Sequence, residues 1–271
     1  MFRSGFTKNG SLSRPSIATW ARHFRLSIRR GFKPFRAFLP FPRSVHRIAH
    51  ARKIQTLRRA VKKHDASWEN SLVLVIVGIP KSASSTLVHH FEGALGDVAQ
   101  GGGFLYARDT DSLTTAVSDR LKPRVVHVGH QSPMVLVRAG LLSLERLNSM
   151  RSIAVDRPEA ERFTSACAYL LARRYFPQGF KEKHVVQILR LVGRPNPTDH
   201  EMSLVYGPEV HLADSSYWLN PPDWSGPSVR IPISLLEDGV RDALGELGVA
   251  HQIAQGLVIN AKNLGDLSGG Q

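Results

Sequence analysis

A nearly uninterrupted apolar run, SLVLVIVGIP at 71–80, constrains the fold of this chain more than any other feature. Its length, and its end at Gly78 and Pro80, are typical of a strand that is buried on both faces, as in a parallel sheet. A hydroxyl-rich stretch follows, and a helix is predicted from about Ser85. The sequence therefore predicts a strand, a tight loop and a helix in direct succession.

Alternation of strands and helices continues along the chain. We predict further strands at 124–130 and 152–156, and helices over Glu159 to Tyr175 and over 235–249. Residues 193–232 are rich in Pro, Gly and aromatic residues and are predicted to form a loop. This pattern predicts a three-layer α/β domain over 71–271 with a mainly parallel central sheet, whose ligands bind at the carboxyl ends of the strands.

A strongly basic segment precedes this domain. Residues 1–64 contain 17 lysines and arginines and no acidic residue, whereas the whole chain has 36 basic and 22 acidic residues. We interpret the segment as a basic arm, with a helix predicted at about 44–63. Trp20, Phe24 and Ile28 fall at helical spacing among arginines, which favours an amphipathic helix on an anionic membrane. A solvated tail is an equally good interpretation, and contact with nucleic acid or an organellar targeting peptide are lesser ones.

Cysteine usage and hydropathy bear on the compartment. Cys167 is the single cysteine, which excludes an internal disulfide framework and fits a reducing cytosol. The arm has no apolar stretch near the roughly 20 residues that a bilayer-spanning helix needs, and no signal-peptide core. The sequence therefore predicts a cytoplasmic protein, and the arm suggests peripheral contact with a membrane.

The loop GIPKSASST at 78–86 joins the first predicted strand to the first predicted helix. Backbone N–H groups in such a loop converge at the positive end of the helix dipole and form an anion site. Lys81 adds a cation, and several hydroxyl groups add donors. The Gly-Lys pair of the Walker A pattern is missing, which disfavours ordinary ATP or GTP hydrolysis. A serine-rich N-cap after a buried strand is the alternative interpretation.

The stretch IPKSASSTL at 79–87 resembles the first signature of the sulfotransferases that use 3′-phosphoadenosine 5′-phosphosulfate (PAPS). In that family a strand ending in Pro-Lys precedes a small, hydroxyl-rich loop that binds the 5′-phosphosulfate. The resemblance implies a P-loop-like fold and a donor-binding role for one run of residues. These are Lys81, Ser82, Ala83, Ser84, Ser85 and Thr86.

A second stretch, SIAVDRPEAERFTSACAYL, resembles the second signature of the same family. There, an Arg at a strand end and a Ser eight positions later hold the 3′-phosphate, and Arg157 and Ser165 keep that interval. Arginine offers several coplanar donors to a phosphate. The usual Arg-Asp-Pro is replaced here by Arg157-Pro158-Glu159, a departure from the family pattern. A helix start in which Arg157 binds nothing is the alternative.

The sequence RVVHVGHQSPM, between these signatures, contains two histidines. An acceptor hydroxyl must lose its proton as it attacks sulfur, and a histidine is a suitable general base. The arrangement resembles the branch related to uronyl 2-O-sulfotransferases, in which a strand ends in Gly-His, and it implies that His130 is the base. His127 is expected to point to the opposite face of the strand and to be packed or hydrogen-bonded. A hydrogen-bonded loop histidine is the alternative for His130.

These motifs predict a PAPS-dependent sulfotransferase that acts on a hydroxyl of a carbohydrate or glycoconjugate. His130 and Lys81 would be catalytic, and no metal would be needed. A catalytically inactive, sulfotransferase-like binding protein attached by its arm is one alternative, and a nucleotide-dependent kinase or NTPase is another. Asn260 and Lys262 resemble the family's C-terminal closing segment, and the sequence after them is short, which predicts a reduced closure over the nucleotide.

Overall fold

The computed structural model describes residues 43–173, 179, 181–192 and 207–249. Five strands are found there: β1 Leu74–Val77, β2 Phe104–Tyr106, β3 Val125–His127, β4 Arg151–Asp156 and β5 Val229–Pro232. They form one sheet in the order β2-β3-β1-β4-β5, and all neighbouring pairs are parallel. The carboxyl end of β1 is therefore central, with the ends of β3 and β4 on either side.

Helices cover both faces of this sheet. They are α1 Arg43–His64, α2 Ser84–Leu95, α3 Thr110–Ser118, α4 Met134–Ala139, α5 Leu144–Ser149, α6 Glu159–Ala172, α7 Glu182–Val192, α8 Ser216–Leu219 and α9 Leu236–Glu246. Short 3₁₀ helices lie at Val98–Gln100, Gly207–Leu212 and Ile233–Leu235. No helix in these described ranges is long and apolar enough to cross a membrane.

Alternate residues of β1 enter two separate cores. Leu74 and Ile76 pack in one cluster with α2 and α9, whereas Val75 and Val77 pack in a second cluster with α1, α3 and α4. All four strand residues are fully buried, which explains why β1 reads as a continuous apolar run. The predicted three-layer α/β fold with a parallel sheet is confirmed.

The helix predicted at 44–63 is confirmed as α1, and it packs on the domain. Ile54, Leu57 and Val61 are buried in the same core as Val75 of β1. The end of the segment that was interpreted as a basic arm is therefore part of the packed unit.

Two strands differ from the sequence predictions. β2 was not predicted, because three residues are too few to show an alternating pattern of apolar and polar side chains. β5 lies at the end of the predicted loop 193–232, of which 193–206 are outside the described residues. In β5 only Ile231 is buried, and the strand includes Pro232, so order there comes from pairing with β4 and not from local pattern.

Candidate functional site

The β1–α2 loop has an unusual backbone. Lys81 and Ala83 both have positive φ, at 65° and 58°, in the left-handed region that residues other than glycine rarely adopt. Alternation of left-handed residues with other conformations is the backbone geometry of a nest, a concavity of N–H groups that binds anions. The N–H group of Ser82 donates to the Ile79 carbonyl oxygen at 3.2 Å and is therefore used within the loop. Within the part of the chain that the structure describes, the N–H groups of Lys81, Ala83, Ser84 and Ser85 have no hydrogen-bond acceptor.

Two glycines bring the loops after β1 and β3 into direct contact. A Cβ on Gly78 would lie 1.9 Å from the Gly129 carbonyl oxygen, and a Cβ on Gly129 would lie 2.4 Å from the Arg108 carbonyl oxygen. Gly129 also has a φ of 62°. Only glycine fits at either position, so the loops that follow β1, β2 and β3 are held together at one edge of the sheet.

The hydroxyl groups of the loop do not act alike. Ser84 Oγ donates to the Ile79 carbonyl oxygen at 2.9 Å, so its only proton fastens the loop to itself. Ser82 Oγ is buried and has no hydrogen-bond partner in the described structure, so its hydrogen-bonding capacity is unused. Ser85 is exposed and Thr86 is buried. Ala83 occupies the N-cap of α2 without a side-chain cap, so the alternative of a serine-rich N-cap is wrong.

Cationic side chains converge beside this loop. Arg157 Nη1 donates to the Lys81 carbonyl oxygen at 3.2 Å, so two residues 76 positions apart meet at one place. Burial lowers the pKa of Lys81, and the charges of Arg157 and then Arg173 lower it further. Glu161 lies 3.5 Å from Arg157 Nε but without hydrogen-bond geometry. Because these cations repel one another, an anion bound among them would be stabilised.

Arg162 has a different role from Arg157. It is completely buried, and its five N–H groups donate to five oxygen atoms, two on the Glu159 carboxylate and one each on the carbonyls of Pro80, His211 and Ala213. Every donor of the guanidinium is therefore used. Arg162 ties the loop after β1 to α6 and to the 207–213 segment, and it has no donor left for a ligand.

His130 lies at the same edge and is oriented by the backbone. Its Nδ1 is 2.7 Å from the Gly78 carbonyl oxygen, so Nδ1 carries the proton and Nε2 has a free lone pair in the neutral ring. Burial lowers the pKa of His130, the hydrogen bond to Gly78 raises it, and the Lys81 charge lowers it again. The net direction is downward, so this imidazole is neutral at pH 7 and can accept a proton.

His127 is a buried, hydrogen-bonded strand residue, as predicted. Its Nδ1 accepts a hydrogen bond from the Gly129 N–H at 3.0 Å, which places its own proton on Nε2. Burial lowers the pKa of His127 to about 3. The expected separation of the two histidines by strand alternation is not seen, because β3 ends at His127 and both rings lie against Gly78.

A row of rings connects the cations to His130. Lys81 Nζ lies 4.6 Å from the centroid of the Tyr169 ring, and Tyr169 stacks on His211 at 4.8 Å. The His211 ring then meets the His130 ring edge to face at 5.3 Å. Ser165 lies three residues after Arg162 and four before Tyr169, so helical spacing puts it on the same side of α6.

Sequence reasoning missed several parts of this site. Tyr169 lies within the helix predicted over Glu159 to Tyr175 but is not one of the signature residues there, and His211 lies in the predicted loop and belongs to no motif. Arg173 stands at the end of α6, where a helix period gives no sign of a ligand contact. Asn260 and Lys262 lie outside the described residues. Among the described residues, no group of three or more His, Cys, Asp or Glu side chains could hold a metal ion.

The arrangement has the chemistry of a site for a polyanion next to a neutral general base. The carboxyl end of β1, where ligands of parallel sheets bind, holds the N–H donors of the loop and the unpartnered Ser82 hydroxyl. The charges of Lys81, Arg157 and Arg173 lie beside them. His130 supplies a proton acceptor at the same edge. The chain matches no protein-family model, no curated protein and no solved structure.

Proposed function

We propose that this protein is a PAPS-dependent sulfotransferase that transfers a sulfuryl group to a hydroxyl of a carbohydrate or glycoconjugate. One observation carries the proposal. Lys81 and Arg157 are the basic residues of two separate signature-like motifs, and they meet at the carboxyl edge of the sheet. There, Arg157 donates a hydrogen bond to the Lys81 carbonyl oxygen. Cations from independent parts of the chain suit a ligand with more than one phosphate.

The donor sites divide between the two motifs. The unpaired N–H groups of Lys81, Ala83, Ser84 and Ser85 suit the 5′-phosphosulfate, as does the unpartnered Ser82 hydroxyl. Arg157 has guanidinium donors left after its bond to Lys81 and, with Ser165, suits the 3′-phosphate. The neighbouring Arg162 has none left, which separates the binding arginine from the structural one.

The proposed reaction is an in-line displacement at sulfur. A new bond forms between the acceptor oxygen and sulfur, the bond from sulfur to the bridging phosphate oxygen breaks, and 3′-phosphoadenosine 5′-phosphate (PAP) leaves. The acceptor proton passes to Nε2 of His130, which the Gly78 carbonyl keeps in the correct tautomer. Lys81 and the loop N–H groups stabilise the charge that grows on the leaving group.

Calorimetric titration with PAP, beside ATP with Mg²⁺, tests the proposal. The variants are Lys81→Ala and Arg157→Ala, and Lys183→Ala on the exposed side of α7 is the matched control. Loss of one charge-assisted contact should raise the Kd for PAP by about 10- to 100-fold in each site variant, with no change in the control. Thermal unfolding of each variant verifies that it is folded.

The outcomes separate the alternatives. Absence of PAP binding by the folded wild-type protein would overturn the proposal. Preferential binding of ATP with Mg²⁺ would favour a kinase or NTPase. PAP binding without sulfuryl transfer to any of a panel of glycans would favour an inactive, sulfotransferase-like binding protein.

A further inference from the structure

The outward side of α1 is rich in basic residues. Ile54, Leu57 and Val61 turn into the core, and helical spacing places Arg52, Arg59 and Lys63 on the opposite side. Lys62 lies beside them, and all four of these basic residues are exposed. We call these four residues, Arg52, Arg59, Lys62 and Lys63, the α1 basic face.

The flanks of the helix are occupied, but the α1 basic face is not. Lys53 forms an ion pair with Asp111, and Arg58 Nε donates to the Arg138 carbonyl oxygen, so both flanking cations fasten α1 to the domain. In the described ranges, the four residues of the α1 basic face have no ion pair, and α1 contains no acidic residue. The charge of this surface therefore has no partner within the described part of the molecule.

The direction of α1 relates this surface to the candidate site. Lys53 contacts Asp111 in the first turn of α3, which follows β2 at the carboxyl edge of the sheet. Arg58 contacts Arg138 near the far end of α4, toward the amino edge. The helix therefore runs from the carboxyl edge to the amino edge. The start of α1 at Arg43 therefore points toward the edge where Lys81 lies.

We propose that the α1 basic face rests on an anionic lipid surface. The sequence favours lipid over nucleic acid as the partner. Residues 1–42, which precede α1, interleave basic residues with phenylalanines and Trp20. Segments of this composition bind at the boundary between lipid headgroups and acyl chains. The α1 basic face itself has no aromatic residue, so it binds headgroups by charge without insertion. This proposal stands independently of the sulfotransferase proposal.

Vesicle flotation of the full chain tests this surface. Neutral phosphatidylcholine vesicles are compared with vesicles that contain about 30% phosphatidylserine. The test variant carries Gln at the four positions of the α1 basic face. Its control carries Gln at Lys181, Lys183, Arg190 and Arg241, which removes the same charge from α7, from the residue before it and from α9. Glutamine preserves helix propensity in both.

We expect the test variant to bind anionic vesicles at least about tenfold more weakly than wild type, and the control variant to bind nearly as well as wild type. Binding should fall as salt rises. Equal weakening in both variants would show that only net charge matters and would overturn the proposal. Stronger binding to a single-stranded RNA than to anionic vesicles, lost in the same test variant, would also overturn it in favour of a nucleic-acid surface.

A site-specific readout separates α1 from residues 1–42. Cys167 is buried, so a dye can be attached selectively at Gln55→Cys on the outward side of α1 or at Lys183→Cys on α7. Lipids that carry a headgroup quencher should quench the dye at position 55 and not at position 183. Equal quenching at both positions would overturn the proposal. PAP affinity is measured on the same samples, so loss of lipid binding is distinguishable from failure of the nucleotide site.

Discussion

Replacement of Arg162 by Met should destabilise the fold far more than loss of an ordinary surface charge. The substitution preserves much of the side-chain volume and creates no large cavity, but it removes five donated hydrogen bonds. The Glu159 carboxylate would lose its bidentate partner, and the carbonyls of Pro80, His211 and Ala213 would each lose a donor.

The magnitude follows from the burial of the two partners. Breaking a buried ion pair by removing one member costs about 3 to 5 kcal/mol. Arg162 is fully buried, but the Glu159 side chain is 34% exposed, so water can partly replace the lost partner. We therefore expect the free energy of unfolding to fall by about 3 kcal/mol, at the low end of that range.

Urea unfolding followed by circular dichroism measures this change. With a slope of about 2 kcal/mol per molar, the midpoint should fall by about 1.5 M. Arg241→Met is the matched control, because Arg241 pairs with Asp238 at the same i,i+3 spacing but on an exposed surface, and its midpoint should change by less than about 0.5 M. Similar midpoints for the two variants would refute the argument that Arg162 fastens the loop to α6.

Three further predictions concern the contact between the loops. Gly78→Ala forces a Cβ against the Gly129 carbonyl and should lower the free energy of unfolding by about 3 kcal/mol. Gly245→Ala, whose Cβ meets open space in α9, should be neutral or stabilising. A wild-type urea midpoint for Gly78→Ala would contradict this prediction. His127, with its pKa lowered to about 3, takes up a proton between pH 7 and pH 5 only on unfolding, so the free energy of unfolding should fall by about 2 kcal/mol over that range. His127→Asn should flatten this dependence of stability on pH. An unchanged dependence would refute the conclusion that His127 is buried in its neutral form. Because the pKa of His130 is lowered from its ordinary value of 6.5, initial rates of sulfuryl transfer should fall less from pH 7 to pH 6 than they would for an unperturbed histidine base. His130→Asn should reduce these rates about 100-fold. A rate that has dropped to half of its plateau at pH 6.5 would contradict this prediction.

Much of the fold could be predicted because its central strand is buried on both faces. That burial explains the continuous apolar run of β1. The helical spacing of the apolar residues Ile54, Leu57 and Val61 predicted α1 in the same way. β5 could not be predicted, because only Ile231 of its four residues is buried and its order depends on β4. The packing of α1 onto the domain was also hidden, since a sequence shows an apolar face but not the surface that covers it.

The candidate site was only partly predictable for a related reason. Lys81 and Arg157 stand next to strand ends that carry local motifs, so a sequence can point to both. The Tyr169–His211 stack depends on a contact between α6 and the distant 207–212 turn, and no local pattern specifies it. The distinction between Arg157 and Arg162 depends on counting the acceptors around each guanidinium, which only a folded structure supplies.

The most direct test of the central claim compares the affinities of PAP and 5′-AMP for the wild-type protein and for Arg157→Ala. These nucleotides differ only by the 3′-phosphate, which the proposal assigns to Arg157. Wild type should bind PAP at least about tenfold more tightly than 5′-AMP, and Arg157→Ala should lose most of that preference. Equal affinities of wild type for the two nucleotides would contradict the account, because the convergence of Arg157 on the loop would then have no role in recognising a PAPS-type donor.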